Sequence, residues 1–350
     1  MKLEDVTLTN SEKISLVSNL ATMMTAGIPL YDAVDSLSQD AKGNQVKILE
    51  TLKADLSQGK HLFITLEKFP RVFDNVTVNV IHAAEEAGTL DITLKDLKEN
   101  IRKEIEFSDK IKSALIYPAF IGVVFILIFS LMLFFVIPKI ATVFERLRLD
   151  LPLPTKLLIS LSSLLTHNGG EVLGIGLVVT LFIVVFFRRN QSLIRQLVYS
   201  LPLVRNVIVD IDVTRFSRSM YLLLSSGIPI TAALELTQDV VLKGGMKRII
   251  TDSGHMLLTG KTLSEGLRSR KGYLPVIFIK LVEAGEKTGS LDKSMQDIAE
   301  YFDYQVAQTL RTLVALLEPM MLIVVGVVVG GMMVAIIAPV YNLIGQVGGR

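Results

Sequence analysis

Three long stretches of this chain carry no charge, and they constrain its fold more than any other feature. Ser113 to Pro138 gives 26 uncharged residues between Lys112 and Lys139, with the centre FIGVVFILIFSLMLFFVI. Pro319 to Gly349 is also free of charge. A helix needs about 20 apolar residues to cross a bilayer, where no water satisfies an open backbone. Val172 to Phe187 is shorter, 16 residues between Glu171 and Arg188. At about 1.5 Å per residue it reaches roughly 24 Å, so Gly169, Gly170 and part of the preceding leucine-rich segment extend it. The expectation is three membrane-spanning helices, at 113–138, 172–187 and 312–343. Composition agrees, with 50% hydrophobic and 20% charged residues and a mean hydropathy of +0.50. An average soluble domain carries about 25% charged residues.

Lysines and arginines near the span ends orient the chain. Nine (Lys98, Arg102, Lys103, Lys110, Lys112, Arg188, Arg189, Arg195 and Arg311) lie on the side that holds two long polar segments. Five (Lys139, Arg146, Arg148, Lys156 and Arg350) lie on the other. The excess places 1–112 and 188–311 in the cytoplasm, with 139–171 and the tail 344–350 outside. In the external segment LPLPT precedes Leu157, Leu158, Leu161, Leu164 and Leu165 at helical spacing. That stripe suits an interfacial helix over about 155–171 or the start of the second span.

Several functions are excluded early. The chain has no cysteine, so disulfides, thiolate metal sites and cysteine nucleophiles are absent. The histidines His61, His82, His167 and His255 have no partner at metal-ligand spacing. The net charge of +2 argues against a nucleic-acid binder. No basic stretch followed by a short apolar run opens the chain, so no cleaved signal peptide is expected.

The two polar segments repeat each other. AGIPLYDAVDS (Ala26 to Ser36) matches SGIPITAALEL (Ser226 to Leu236) at an offset of 200. Gln58-Gly59-Lys60 matches Thr259-Gly260-Lys261 at 201, as does AEEAGTLD (Ala84 to Asp91) with GEKTGSLD (Gly285 to Asp292). Each copy reads as all-helical. Ile14, Val17, Leu20, Ala21 and Met24 share one helix face. Gly27 then Pro29, and Gly227 then Pro229, form the usual helix stop. After Gly88 and Gly289 a long helix begins in each copy, with Thr89 and Ser290 as N-caps and Asp91 and Asp292 at the positive end of the dipole. The fold class expected is all-α: a polytopic membrane protein with two homologous cytoplasmic helical-bundle domains. Their net charges differ, −4 for residues 1–112 and +5 for 188–311.

No motif carries convincing chemistry. Gly285-Glu286-x-x-Gly289 lacks the Gly-Lys-Ser/Thr of a phosphate loop, and tight turns needing glycine backbone freedom account for it. Glu85 with Glu86, and Glu283 with Glu286 at i and i+3, have no nucleophile beside them. They read as an exposed partner-binding edge together with Lys287. Glu318-Pro319 stands where the third span begins, with Pro319 in a first helical turn, which needs no N–H. An ionisable residue there is also a candidate functional group. Pro118 marks a kink or a helix start. Gly326 and Gly330 form a small-xxx-small pattern that lets helices approach closely.

Taken together, the repeated Ala/Ser-Gly-Ile-Pro, the Gly-Glu-x-x-Gly-x-Leu turn, LIYPAF (Leu115 to Phe120), VIPK (Val136 to Lys139), LPLPT and LEPMM (Leu317 to Met321) resemble the type II secretion system protein F family. That family includes the platform proteins of type IV pili. One departure is Ala84, where the second copy has Gly285. The resemblance implies a scaffold in the cytoplasmic (inner) membrane with two six-helix cytoplasmic domains and no enzymatic activity or cofactor. Implied partners are a hexameric assembly ATPase, pilin or pseudopilin transmembrane segments, alignment-complex membrane proteins and further copies of the chain. A small transporter or channel component is the alternative, and it needs polar midplane residues that these spans scarcely offer.

Overall fold

A computed structural model of the chain describes residues 3–139, 141–142, 156, 159–160, 202–270 and 272–347. Every regular element among them is helical. They divide into two compact units. One joins the described residues of Met1–Lys110 and Pro202–Gln308, the other those of Ile111–Leu201 and Thr309–Arg350.

The first polar segment folds as α1 (Asn10–Thr25), α2 (Leu30–Asp40), α3 (Asn44–Ser57), α4 (Leu62–Leu66), α5 (Asn75–Ala87) and the start of α6 (Leu90–Leu131). The second gives α7 (Pro202–Ser225), α8 (Ile230–Thr237), α9 (Gly244–Leu258), α10 (Leu263–Leu267), α11 (Val276–Thr288) and the start of α12 (Leu291–Val347). Helix α1 opens with a capping box: Thr9 Oγ1 accepts from Glu12 N–H, and the Glu12 carboxylate accepts from Thr9 N–H at 2.8 Å. It closes at Gly27, whose φ of +82° lets Ile28 N–H reach back to Met23 O at 3.0 Å. Gly227 (φ +79°) ends α7 identically, with Ile228 N–H on Leu223 O at 3.0 Å. Pro29 and Pro229 then set the extended N-caps of α2 and α8.

One apolar core runs through both segments. It takes Leu20, Leu52 and Phe69 from the first and Met220, Ile250 and Phe278 from the second. Phe278 stands edge-on to Phe216 and Phe302, with ring centroids 6.2 and 6.4 Å away. Helix α5 packs against α7 and α8, so the segments meet directly.

In the second unit α6 passes into Phe120–Lys139, with mean hydropathy 3.1, and α12 includes an apolar stretch within Leu291–Gly331, at 2.5. Both are long and apolar enough to cross a membrane. The expected span 172–187 lies outside the described residues, and so does most of the expected interfacial helix at 155–171. A short π-helical turn, Met132–Val136, follows α6.

The long helices narrow one sequence expectation and correct another. Helix α6 continues through residue 118, so Pro118 starts no helix. Helix α12 begins at Leu291, so Pro319 lies far inside it and not in a first turn. The residues ahead of each proline are good helix formers, and the helix is already running when the apolar stretch arrives. Each proline stands 28 residues after its helix starts and denies an N–H to the carbonyl four residues earlier, that of Ala114 or Ala315.

Candidate functional site

Eight of the residues singled out from the sequence (Glu85, Glu86, Gly88, Glu283, Gly285, Glu286, Lys287 and Gly289) lie at two equivalent shoulders, where a five-residue helix meets the end of the next long one. In the first, α5 ends at Gly88 (φ +68°), and Thr89 N–H bonds back to Ala84 O at 2.9 Å. In the second, α11 ends at Gly289 (φ +69°), and Ser290 N–H bonds to Gly285 O at 3.0 Å. A left-handed residue is needed for this reversal, and glycine adopts it without a Cβ penalty.

Glu85 and Glu286 do the same work in each shoulder. The Glu85 carboxylate accepts from Leu62 N–H at 2.8 Å and Phe63 N–H at 3.0 Å. The Glu286 carboxylate accepts from Leu263 N–H and, at 2.9 Å, Ser264 N–H. These are the first donors of α4 and α10, which have no partner inside their helices and sit at the positive end of the dipole. The Glu85 side chain is only 10% exposed. The exposed edge expected from the sequence is therefore not found at these two glutamates, because both point inward onto backbone.

The remaining candidates form the rim. Glu86 is exposed and faces His82 Nε2 at 3.2 Å. The His82 ring also lies tilted against Phe63, centroids 4.0 Å apart, and Phe63 stacks on His61 at 5.7 Å. In the second shoulder Glu283 takes Lys287 Nζ at 2.8 Å and pairs with Arg268. Lys287 beside Glu283 holds that carboxyl below its usual range. Position 84/285 also differs in packing. Ala84 is buried, whereas a Cβ on Gly285 would lie 2.4 Å from Ser294 Oγ and 3.2 Å from Leu291 Cα.

Two further motifs lie in the second unit. Glu318 lines a cleft of about 110 Å3 with Tyr117, Ile121, Leu317 and Met321. Gly326 and Gly330 have open space where a Cβ would stand. Among the described residues no group of three or more His, Asp or Glu side chains has the geometry of a metal site.

Sequence reasoning missed a charged joint between the two polar segments. Arg218 of α7 is 6% exposed. Its Nη1 donates to Glu104 Oε2 of α6 at 2.8 Å, and its Nη2 stands 3.5 Å from Asp303 Oδ2 of α12. The guanidinium lies over the buried Phe107 ring, 5.3 Å from its centroid. Lys103 pairs with Glu300 at 2.8 Å and Lys110 with Asp303 at 2.9 Å. The one available signal was a charge at core-facing spacing, four residues from Thr214 and four from Leu222, both buried.

Comparison with known proteins adds to this geometry. The model of the family described as type II secretion system (T2SS), protein F matches the chain twice, over residues 16–138 and 216–339. The chain is 28% identical to the type IV pilus assembly protein PilC of Pseudomonas aeruginosa, over 94% of this chain and 89% of that protein. It is 30% identical to PilC of Thermus thermophilus, over 93% of this chain and 81% of the other. It is 24% identical to the type II secretion system protein F of Aeromonas hydrophila, over 95% of this chain and 86% of that one.

Proposed function

The chain belongs to the type II secretion system protein F family, and from that premise we propose that it is a non-enzymatic platform in the cytoplasmic membrane of a pilus or secretion machine. In this reading it couples a hexameric assembly ATPase to the insertion of pilin or pseudopilin subunits into a growing fibre. The observation that carries the reading is the continuity of α6 and α12. Each starts at a shoulder and runs without interruption into a stretch apolar enough to cross a membrane. A continuous helix transmits a displacement along its length, where a loop would absorb it.

The proposed arrangement puts residues 1–112 and 188–311 in the cytoplasm as two homologous helical bundles. Spans at 113–138, 172–187 and 312–343 join them, and 139–171 and the C-terminus lie outside. The ATPase meets the rim of the shoulders, at Glu86, Glu283 and Lys287, while Glu85 and Glu286 hold that rim in shape. Gly326 and Gly330 offer a close-packing face to another span or another copy of the chain.

Inserting a flexible glycine linker after Arg311 tests the reading. ATP hydrolysis by the motor should continue while fibre assembly or secretion is lost. Normal assembly with the linker in place rejects mechanical coupling through α12.

A further inference from the structure

We propose that Arg218 is the positioning residue that fixes α6 against α12, so that the two long helices move as one body. Arg218 comes from a third helix, α7, and touches both: Glu104 and Phe107 on α6, Asp303 on α12. A guanidinium suits this place because its planar fork presents several donors in fixed directions while its face stacks on a ring. An ammonium is a single point charge and cannot hold two carboxylates on different helices while covering Phe107.

The flanking pairs do not replace it. Lys103, Glu300 and Lys110 have side chains 44%, 57% and 48% exposed, and exposed charges bind each other weakly and less so in salt. The Arg218 side chain is 7% exposed, so water and salt reach it poorly.

The joint also belongs to this pairing of segments and not to the repeat. The position equivalent to Arg218 in the first segment is Ser18, and those equivalent to Glu104 and Asp303 are Gln305 and Arg102. Each segment carries only part of the network, so the network forms where the two segments meet. It lies on the stretches of α6 and α12 that precede their prolines, Pro118 and Pro319.

Cross-linking tests this directly, because the chain has no cysteine and introduced thiols are the only ones within it. The full chain carrying Lys103→Cys and Glu300→Cys is treated in native membranes with a short bis-maleimide. The cross-linking rate should be the same at low and high salt, and should fall roughly tenfold when Arg218→Lys or Arg218→Met is added. A second pair, Asp239→Cys with Lys247→Cys, lies wholly within the second segment, where the native side chains are 2.7 Å apart. Its rate should not change, which separates a loosened joint from a misfolded chain. A 103–300 rate that is insensitive to both Arg218 variants, or that collapses in salt with Arg218 intact, overturns the proposal.

The one-body movement rests on the platform reading and has its own readout. Cells holding the cross-linked protein should still assemble fibres or secrete. Loss of assembly only after cross-linking means that the helices slide past one another, against the proposal. Failure of the platform reading shows differently: deleting the gene leaves assembly and secretion intact.

Discussion

In the first polar segment the loop between α3 and α4 is tied by charge, and in the second the equivalent loop is tied by contact. Asp55 is buried and accepts from the Thr65 hydroxyl at 2.8 Å, from Lys60 Nζ at 2.9 Å and from Lys68 Nζ. The corresponding residues of the second segment are Met256, Gly266 and Ser269, with only the lysine kept, as Lys261. There Gly266 presses on Ser253, so that an added Cβ would lie 2.7 Å from the Ser253 Cα. A second contrast runs the other way. Asp212 is fully buried and accepts from Leu242 N–H and, at 3.0 Å, Lys243 N–H, tying α7 to the start of α9. Its counterpart Glu12 caps its own helix instead. What the segments share is backbone-directed: left-handed glycines, the inward glutamate, the proline N-caps. What separates them is which individual side chains tie a loop or cap down, and to what. A duplicated fold can exchange the second kind of contact freely while the first kind keeps the path of the chain.

The shared device gives the largest expected effect. Glu85→Ala should destabilise the protein by about 3 kcal/mol, since two half-buried N–H groups lose charge-assisted acceptors. Glu286→Ala should cost less, about 2 kcal/mol, because α10 keeps a capping box between Thr262 and Glu265 that α4 lacks. Denaturant unfolding of the detergent-solubilised chain measures both. Equal costs would mean that the capping box adds nothing. The charged loop comes next. Asp55→Ala should cost about 2 kcal/mol by leaving the buried Thr65 hydroxyl without its acceptor. No single polar substitution in the α9–α10 loop should match it.

The long apolar runs were legible because hydropathy alone identifies them, and two of the three fall in described helices. The turns at Gly27, Gly227, Gly88 and Gly289 were legible because few residues besides glycine tolerate a positive φ. The inward role of Glu85 was not, because its partners lie 22 and 23 residues away on a helix too short to show a period. For α10 the Thr262-x-x-Glu265 capping signature was the available cue. The starts of α6 and α12 were recognised, but not that each helix would run on through its proline. The prolines themselves repeat at the offset of 201, in LIYP and LLEP, and extend the repeat into the apolar stretches. Arg218 could be read as a charge on a buried face but not as a joint, since Glu104, Arg218 and Asp303 come together only when the segments meet.

Smaller effects probe how tightly the copies diverged. Gly285→Ala should cost about 1–2 kcal/mol, because the new methyl group meets Ser294 and the Leu291 backbone where α11 and α12 approach. Ala84→Gly should cost about 1 kcal/mol for a different reason, lost helix propensity and burial. A neutral Gly285→Ala would show that the second shoulder has slack and that the glycine is incidental.

The smallest effect concerns acid, and the two segments should answer it in opposite directions. Burial raises the Asp210 carboxyl to about 6, in a cleft it shares with Arg205 and Tyr273. A raised carboxyl contributes stability that is complete below its unfolded value of about 3.9 and is lost as the pH rises through the folded value. Amide-exchange protection of α7, corrected for intrinsic rates, should therefore increase from pH 7 to pH 5, and Asp210→Asn should flatten that trend. Asp55 behaves oppositely. The Lys68 and Lys60 ammoniums hold its carboxyl below the usual range, so its contribution is present above the ordinary carboxylate value and lost as the pH falls below it. Protection around α3 and α4 should hold steady from pH 7 to pH 5 and weaken only in stronger acid. The Asp210 effect is modest because that side chain is partly solvated, and a shared core works against it. If the core makes both segments open as one unit, α3 and α7 will show a single common pH profile, and the chemical divergence of the loops will have no separate consequence for stability.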